Sequence, residues 1–403
     1  MDDVVSLDTL AAVAGVSLVS ALVVGLFPRL PVPQVVLLLA GGIVIGPDVL
    51  AIGAAQDVRV LADVGLGFVF LLAGYEVDLR LAREDAGRRA VVSWAVSLLL
   101  AAGVVGALDA AGVVEAYLPV SLGLTTTALG TLLPVLRDKG LLRGPLGRHL
   151  LASGAVGELF PVLAIAVFLG TQGRLAALAS LAAVGLLAVV LALLRRGVSG
   201  GGRLAGVLGS GQGETAQITL RGTILLLLTL VAVTDRFHLD AVLGAFLAGM
   251  VLRRWVGDAD PVLESKLDAI GYGFFVPLFF VYSGMGLDLH SIGDAPLRLL
   301  LFLVLMLLVR GGPVLLVYRG VLPARQRGQV ALVGATALPV LVALAEIGLR
   351  SGTMLPENAA ALVGAGAVTV LLFPALAVAL DRRPPRSAAH SVAGPVGTPP
   401  PTT

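Results

Sequence analysis

The chain has 403 residues and a net charge of +2, and it is 57% hydrophobic with only 13% charged residues. A mean hydropathy of +0.98 and so little charge, against roughly 25% in soluble domains, exclude a soluble enzyme or binding module and indicate a membrane protein. Cysteine is absent, which removes disulfides and thiolate metal sites, and the four histidines (His149, His238, His290 and His390) show no ligand spacing.

A helix that crosses a bilayer needs about 20 apolar residues. Such runs lie near 9 to 27, 31 to 46, 57 to 79, 90 to 109, 115 to 136, 146 to 169, 175 to 194, 216 to 234, 238 to 252, 266 to 287, 296 to 318, 328 to 349 and 358 to 380. The first follows MDDVVSLD, acidic where a secretory leader is basic, and reads as a retained span. The runs are apolar throughout, without the alternation of barrel strands. The expected fold is therefore an all-α integral membrane protein of about thirteen transmembrane helices. Residues 1–383 form the membrane domain: a first repeat at about 9–170, a connector helix at about 175–194, a glycine-rich inner linker at 195–215 and a second repeat at about 216–380. Residues 384–403, ending PVGTPPPTT, read as a disordered cytoplasmic tail.

Basic residues set the expected orientation, because cytoplasmic loops are enriched in Lys and Arg. With the N-terminus outside, 21 of the 28 basic residues fall in inner connectors and 5 in outer ones (Arg59, Arg174, Arg236, Arg298 and Arg350), with Arg221 and Arg310 inside spans. A miscounted helix would invert every later loop and blur that contrast. The C-terminus is then cytoplasmic.

The third run, LADVGLGFVFLLAGYEVDL, and the tenth, LDAIGYGFFVPLFFVYSGMGLDL, align Leu61, Gly65, Gly67, Phe68 and Gly74 with Leu267, Gly271, Gly273, Phe274 and Gly284. In the fifth and twelfth runs, Thr127-Ala128-Leu129 returns as Thr336-Ala337-Leu338. All offsets lie between 206 and 210 residues, which is seven spans. An odd number reverses the direction of entry, giving two inverted-topology repeats of six helices, the arrangement of secondary transporters. Helices five and twelve are the expected breaks near the midplane. There Pro134 and Pro339 each remove a backbone donor, and Thr125, Thr126, Thr127 and Thr336 supply hydroxyls.

A charge at the bilayer centre costs roughly 3 kcal/mol on insertion scales, so ionisable residues there are functional candidates. Glu76 and Asp78 fall at an inner end and Asp235 and Asp288 at outer ends, and all four read as interfacial. Glu346 lies about one turn from the outer end of the twelfth run and is open to a transport or a structural role. Glu158, in SGAVGELFPVLAIAVFLG, and Arg310, in LFLVLMLLVRGGP, are deep inside their spans. Desolvation disfavours a charged carboxylate, so such a group can exchange protons near neutral pH. Once ionised it is a hard oxygen ligand suited to Na⁺ or K⁺. Proton and cation would compete for Glu158, which is sufficient for antiport if only the loaded site faces both sides.

The segments PQVVLLLAGGIVIGPDVL, GLGFVFLLAGYEVDL, TTTALGTLLPVLRDKGLLRGPLGRHLLASGAVGE, LGAFLAGMVL and GYGFFVPLFFVYSGMGLDL resemble the monovalent cation:proton antiporter superfamily, in its branch of bacterial Na⁺/H⁺ and K⁺/H⁺ exchangers. The resemblance implies a thirteen-helix homodimer with a dimerisation domain, an elevator-like core domain, and crossed, unwound helices five and twelve. In that family the sixth helix carries Asp-Asp or Asn-Asp, the second acid being the ion ligand. Gly157 and Glu158 stand at those positions, so Glu158 inherits the ion- and proton-binding role and Gly157 offers no side chain. Arg310 falls where relatives often place a basic residue that pairs with acids of the core; its guanidinium does not titrate. One titrating carboxylate implies 1:1 electroneutral exchange. The implied partners are monovalent cations, protons and membrane lipid, with no cofactor, no nucleic acid and no attached nucleotide-binding regulatory domain. A K⁺ efflux pathway or a non-transporting membrane sensor on the same scaffold is the alternative. An enzyme is not expected, because no nucleophile is set beside a base.

Overall fold

Pro33 cannot donate a backbone hydrogen bond, and a helix starts immediately after it; Ser6 caps another, its hydroxyl accepting from the Thr9 amide at 3.4 Å. The computed structural model describes residues 6–27, 32–77, 80, 84–168, 174–198, 217–237, 239, 241–256, 261–287 and 296–380. Most of the expected linker at 195–215, the tail at 384–403, Asp78 and Asp288 lie outside these residues.

Every regular element among the described residues is helical. In chain order they are α1 Leu7–Leu26, α2 Gln34–Ile45, α3 Arg59–Glu76, α4 Asp85–Ala110, α5 Tyr117–Gly123, α6 Leu129–Asp138, α7 Gly144–Phe168, α8 Arg174–Val198, α9 Ile218–Arg236 and α10 Ala241–Val256. Then follow α11 Pro261–Ile270, α12 Val276–Met285, α13 Pro296–Met306, α14 Gly312–Val317, α15 Ala324–Gly334, α16 Pro339–Arg350 and α17 Pro356–Ala379. A short 3₁₀ turn, Ala55–Val58, leads into α3. Among the described residues, nine helical stretches are long and apolar enough to cross a membrane, four of which (Ala55–Glu76, Val262–Met285, Pro296–Val317 and Ala324–Arg350) join consecutive elements, and Gln34–Ile45 and Leu178–Leu191 are shorter apolar helices.

Several expected spans are not continuous α-helices. The run at 115 to 136 is divided between α5 and α6, and the run at 328 to 349 between α15 and α16. Two others contain π-helical turns, Gly271–Phe275 between α11 and α12 and Leu307–Gly311 between α13 and α14. A proline at the start of the next helix, Pro277 or Pro313, explains both, since the missing N–H lets the helix widen by one residue per turn.

Helix packing relies on close backbone approach, because lipid gives no hydrophobic drive between helices. Helix α3 lies on α10, where a Cβ at Gly74 would collide with the Phe246 carbonyl and one at Gly249 with that of Leu71. Helix α12 lies on α2 in the same manner, Gly284 against the Leu39 carbonyl. Gly74 and Gly284, which the sequence comparison pairs, thus each meet a backbone carbonyl of a neighbouring helix. Helix α7 packs on α4 and α15, and α17 on α13, α15 and α16, enclosing the two broken segments.

Candidate ion-binding site

The interruptions at 124–128 and 335–338 meet face to face. The Ala128 amide donates to the Thr336 carbonyl at 2.8 Å, and the Thr127 hydroxyl donates to the Gly334 carbonyl at 2.6 Å. Unwound backbone in an apolar interior must find partners, and neighbouring helices supply them. The Thr127 amide donates to the Gly157 carbonyl of α7 at 2.9 Å, and the Ala337 amide to Thr369 Oγ1 of α17 at 3.2 Å. Thr125 and Thr126 donate locally, to the carbonyls of Leu122 and Gly123, and Thr336 to that of Leu332, which leaves their hydroxyl lone pairs as acceptors. Pro339 opens α16 directly after its break. Pro134 lies inside α6, beyond the break at 124–128.

Gly157 and Glu158 are adjacent on α7 and point about 100° apart around it. Gly157 faces the crossing: a Cβ there would collide with the Thr127 side chain and lie 2.7 Å from Arg310 Nη2. Glu158 faces α6, where Oε1 accepts from the Gly130 amide at 3.2 Å, at the N-terminal turn of the half-helix. That end of a helix carries positive partial charge, favourable to a carboxylate. Glu158 is 5% exposed, and its Oε2 has no hydrogen-bond partner among the described residues.

Arg310 sits in the π-helical turn and is fully buried. Its Nε donates to Thr127 Oγ1 at 3.2 Å and Nη2 to the Ser153 carbonyl at 3.0 Å. Nη2 also reaches the Ser153 hydroxyl at 3.5 Å, so the hydrogen-bond partners of Arg310 among the described residues are two hydroxyls and a carbonyl, and no carboxylate. The guanidinium fills the volume that a side chain at 157 would occupy.

A cavity of about 690 Å³ opens onto Glu158. Thr126, Thr127, Gly130, Leu338 and Pro339 line it near the acid, and Val24, Pro33, Lys139 and Val378 line it where α1, α6 and α17 end and α2 begins. Its floor is the crossing, and its mouth lies where these helix ends meet. Glu346 is elsewhere: it accepts from Tyr282 Oη and Arg350 Nε, both at 2.8 Å, and Arg350 also reaches Asp63 at 2.8 Å. Asp63 is near the start of α3, so this network marks the face opposite the mouth. Of the expected residues, the structure gathers Glu158, Gly157, Thr125, Thr126, Thr127, Thr336, Pro339 and Arg310 around the crossing.

One neighbour escaped sequence reasoning. Glu76, expected to be interfacial, turns its carboxylate onto Gly130: a Cβ at that glycine would lie 2.7 Å from Glu76 Oε2. No pattern in the sequence joins a residue at the end of α3 to the first turn of α6.

A family model described as "Sodium/hydrogen exchanger, transmembrane" matches residues 17–378. The chain belongs to the sodium/hydrogen exchanger family. Among relatives in this exchanger family, the putative Na(+)/H(+) antiporter YjbQ of Bacillus subtilis is 27% identical over 303 residues, covering 69% of the chain and 47% of YjbQ. The Na(+)/H(+)-K(+) antiporter GerN of Bacillus cereus is 26% identical over 362 residues, 86% of the chain and 89% of GerN. The chain thus spans about half of the first relative and most of the second. The solved sodium proton antiporter MjNhaP1 of Methanocaldococcus jannaschii shares the exchanger fold with a TM-score of 0.66 at 19% identity, over 93% of this chain and 96% of that one. Family and apolar helices together make the chain a multi-pass membrane protein.

Proposed function

We propose that this protein is a secondary transporter that exchanges Na⁺ or K⁺ for H⁺ across the cell membrane, with Glu158 as the shared ligand. The observation that carries this reading is the Glu158 carboxylate, buried beside two broken helices, with one oxygen on a half-helix N-terminus and the other unpartnered toward a cavity. A buried carboxylate without a full set of donors is costly, and a proton or a bare cation relieves that cost equally well. Thr126, whose hydroxyl donates only to the Gly123 carbonyl and keeps its lone pairs, lines the same cavity and suits a hard monovalent cation.

Alternating access follows from an elevator-type movement of the crossing and its supporting helices α7 and α17 against the α1–α3 and α9–α12 group, in a homodimer. With the N-terminus outside, the mouth beside Lys139 faces the cytoplasm. The equivalent glycine contacts of α3 with α10 and of α12 with α2 support an inverted repeat. One midplane carboxylate carries one cation or one proton per stroke, which makes the exchange 1:1 and electroneutral.

The test is proton release from everted membrane vesicles when Na⁺, K⁺ or Li⁺ is added, with Glu158→Gln beside wild type. Exchange that persists in the substituted protein overturns the assignment.

A further inference from the structure

The half-helices that leave the crossing, α6 and α16, differ in what lies beside them. Along α6 the cavity is open, lined by Gly130, Thr131, Val135 and Lys139. Along α16 the chain is packed, with Leu341 to Ala345 all buried, and a polar network closes its far end. Arg350, the last residue of α16, donates from Nη2 to Asp63 Oδ1 of α3 and from Nε to Glu346 Oε1, both at 2.8 Å. Tyr282 Oη of α12 donates to the same Glu346 oxygen at 2.8 Å and lies 3.5 Å from Arg350 Nη2. Asp63 and Tyr282 belong to helices outside the crossing, so the end of α16 is tied to α3 and to α12 at once.

The strength of this network suits a contact that is made and broken in every cycle. The Arg350 side chain is 36% exposed, that of Asp63 45% and that of Glu346 18%, and ion pairs this accessible to water are weak. Such pairs add little to folding. Two conformations of nearly equal free energy, however, are shifted by as much as about fivefold when one of them alone makes the contact. Arg350 also keeps two acids apart. Without its guanidinium, the Glu346 carboxylate on α16 and the Asp63 carboxylate on α3 remain on either side of the gap it filled, and attraction across the boundary becomes repulsion.

We propose that Arg350, Asp63, Glu346 and Tyr282 form a latch that holds the path along α16 shut while the cavity along α6 is open, and that the latch parts before Glu158 faces the other side. Opening along α16 requires this helix to move away from α3 and α12, and the four side chains span that boundary. Glu346 acts as the clasp that receives Arg350 and Tyr282; it does not hold the transported ion. The inference rests on the proposed movement of the crossing against the α1–α3 and α9–α12 group, with Glu158 as the carrier.

The sequence contains no cysteine, so an introduced thiol reports alone. Val342→Cys places one a turn before Glu346 on the same face of α16, at a position only 3% exposed. In the full chain held in lipid nanodiscs, its labelling by a soluble maleimide is expected to quicken about fivefold when Arg350→Ala is added. The charge swap of Arg350→Asp with Asp63→Arg is expected to return the rate toward its starting value. In proteoliposomes, Asp63→Cys with Arg350→Cys, bridged by a short bis-methanethiosulfonate, is expected to stop proton flux driven by Na⁺ or K⁺, and a reducing agent to restore it. An unchanged labelling rate in Arg350→Ala, or flux that continues in the bridged protein, overturns the latch. Faster labelling that the charge swap does not reverse assigns the effect to packing and overturns the ion pairing as well. Persisting exchange in Glu158→Gln overturns the reading beneath it instead; labelling and bridging do not depend on that acid, so the two failures are distinguishable.

Discussion

Thr127 and Arg310, 183 positions apart in the chain, meet at 3.2 Å inside the crossing of the two broken helices. The hydroxyl of Thr127 accepts from Arg310 Nε and donates to the Gly334 carbonyl at 2.6 Å, so one side chain joins three helices. Arg310 thereby serves the unwound backbone, on the face of α7 that Gly157 presents rather than the face of Glu158.

Arg310→Met removes the bonds to Thr127 and to the Ser153 carbonyl. Hydrogen bonds to charged groups contribute about 1.5–3 kcal/mol each, and relief of guanidinium desolvation offsets part of the loss, leaving a net destabilisation of about 2 kcal/mol. Arg310→Lys keeps the charge without the planar fork and is expected to fall between. Thermal unfolding in detergent measures both; an Arg310→Met protein as stable as wild type contradicts the clamp.

Gly157→Asp introduces the first acid of the pair that the family resemblance implies, but places its Cβ against the Thr127 side chain and 2.7 Å from Arg310 Nη2. Overpacking of this kind costs about 1–3 kcal/mol. Combining it with Arg310→Lys vacates the Nη2 position and supplies a cation for the new carboxylate. The double variant should therefore be more stable than the two single effects add up to, a coupling that a double-mutant cycle in unfolding free energy reads directly.

Thr369→Val deletes the oxygen that accepts the Ala337 amide, leaving a buried N–H in the second break without that partner. The expected loss is about 1–3 kcal/mol, with exchange reduced in parallel, and Thr369→Ser should restore both. Equal behaviour of Val and Ser would show that the hydroxyl is not needed there.

Arg350 joins Glu346, Asp63 and Tyr282 on the face opposite the cavity mouth. These groups are partly exposed, so Arg350→Ala should cost no more than about 1 kcal/mol. The cost should shrink as choline chloride is added, which screens charge without supplying Na⁺ or K⁺. A loss independent of ionic strength would point to packing instead of ion pairing.

Stoichiometry has a direct readout. If one midplane carboxylate carries the load, an imposed membrane potential leaves the flux in proteoliposomes unchanged. Flux driven by voltage would require a second group that changes charge in each cycle.

The parts of this protein that were legible in its sequence are those governed by the cost of placing each residue in hydrocarbon. Long apolar runs become helices because the backbone must satisfy itself. The two TAL segments read as breaks because threonine and proline interrupt helical bonding at matched offsets, and Glu158 stood out because an acid there needs a reason. Pro134 shows the limit of such reading: it lies inside α6, and the unwound residues precede it.

Tertiary structure alone decided which of these groups meet. It set Arg310 on two hydroxyls and a carbonyl, closed the space beside Gly157, drew Glu346 into a network on the opposite face and laid Glu76 against Gly130. Hydropathy assigns each residue a depth in the bilayer. Partners are fixed by the rotation and close approach of helices remote in sequence, and those depend on backbone contacts such as Gly74 against Phe246 that no single segment contains.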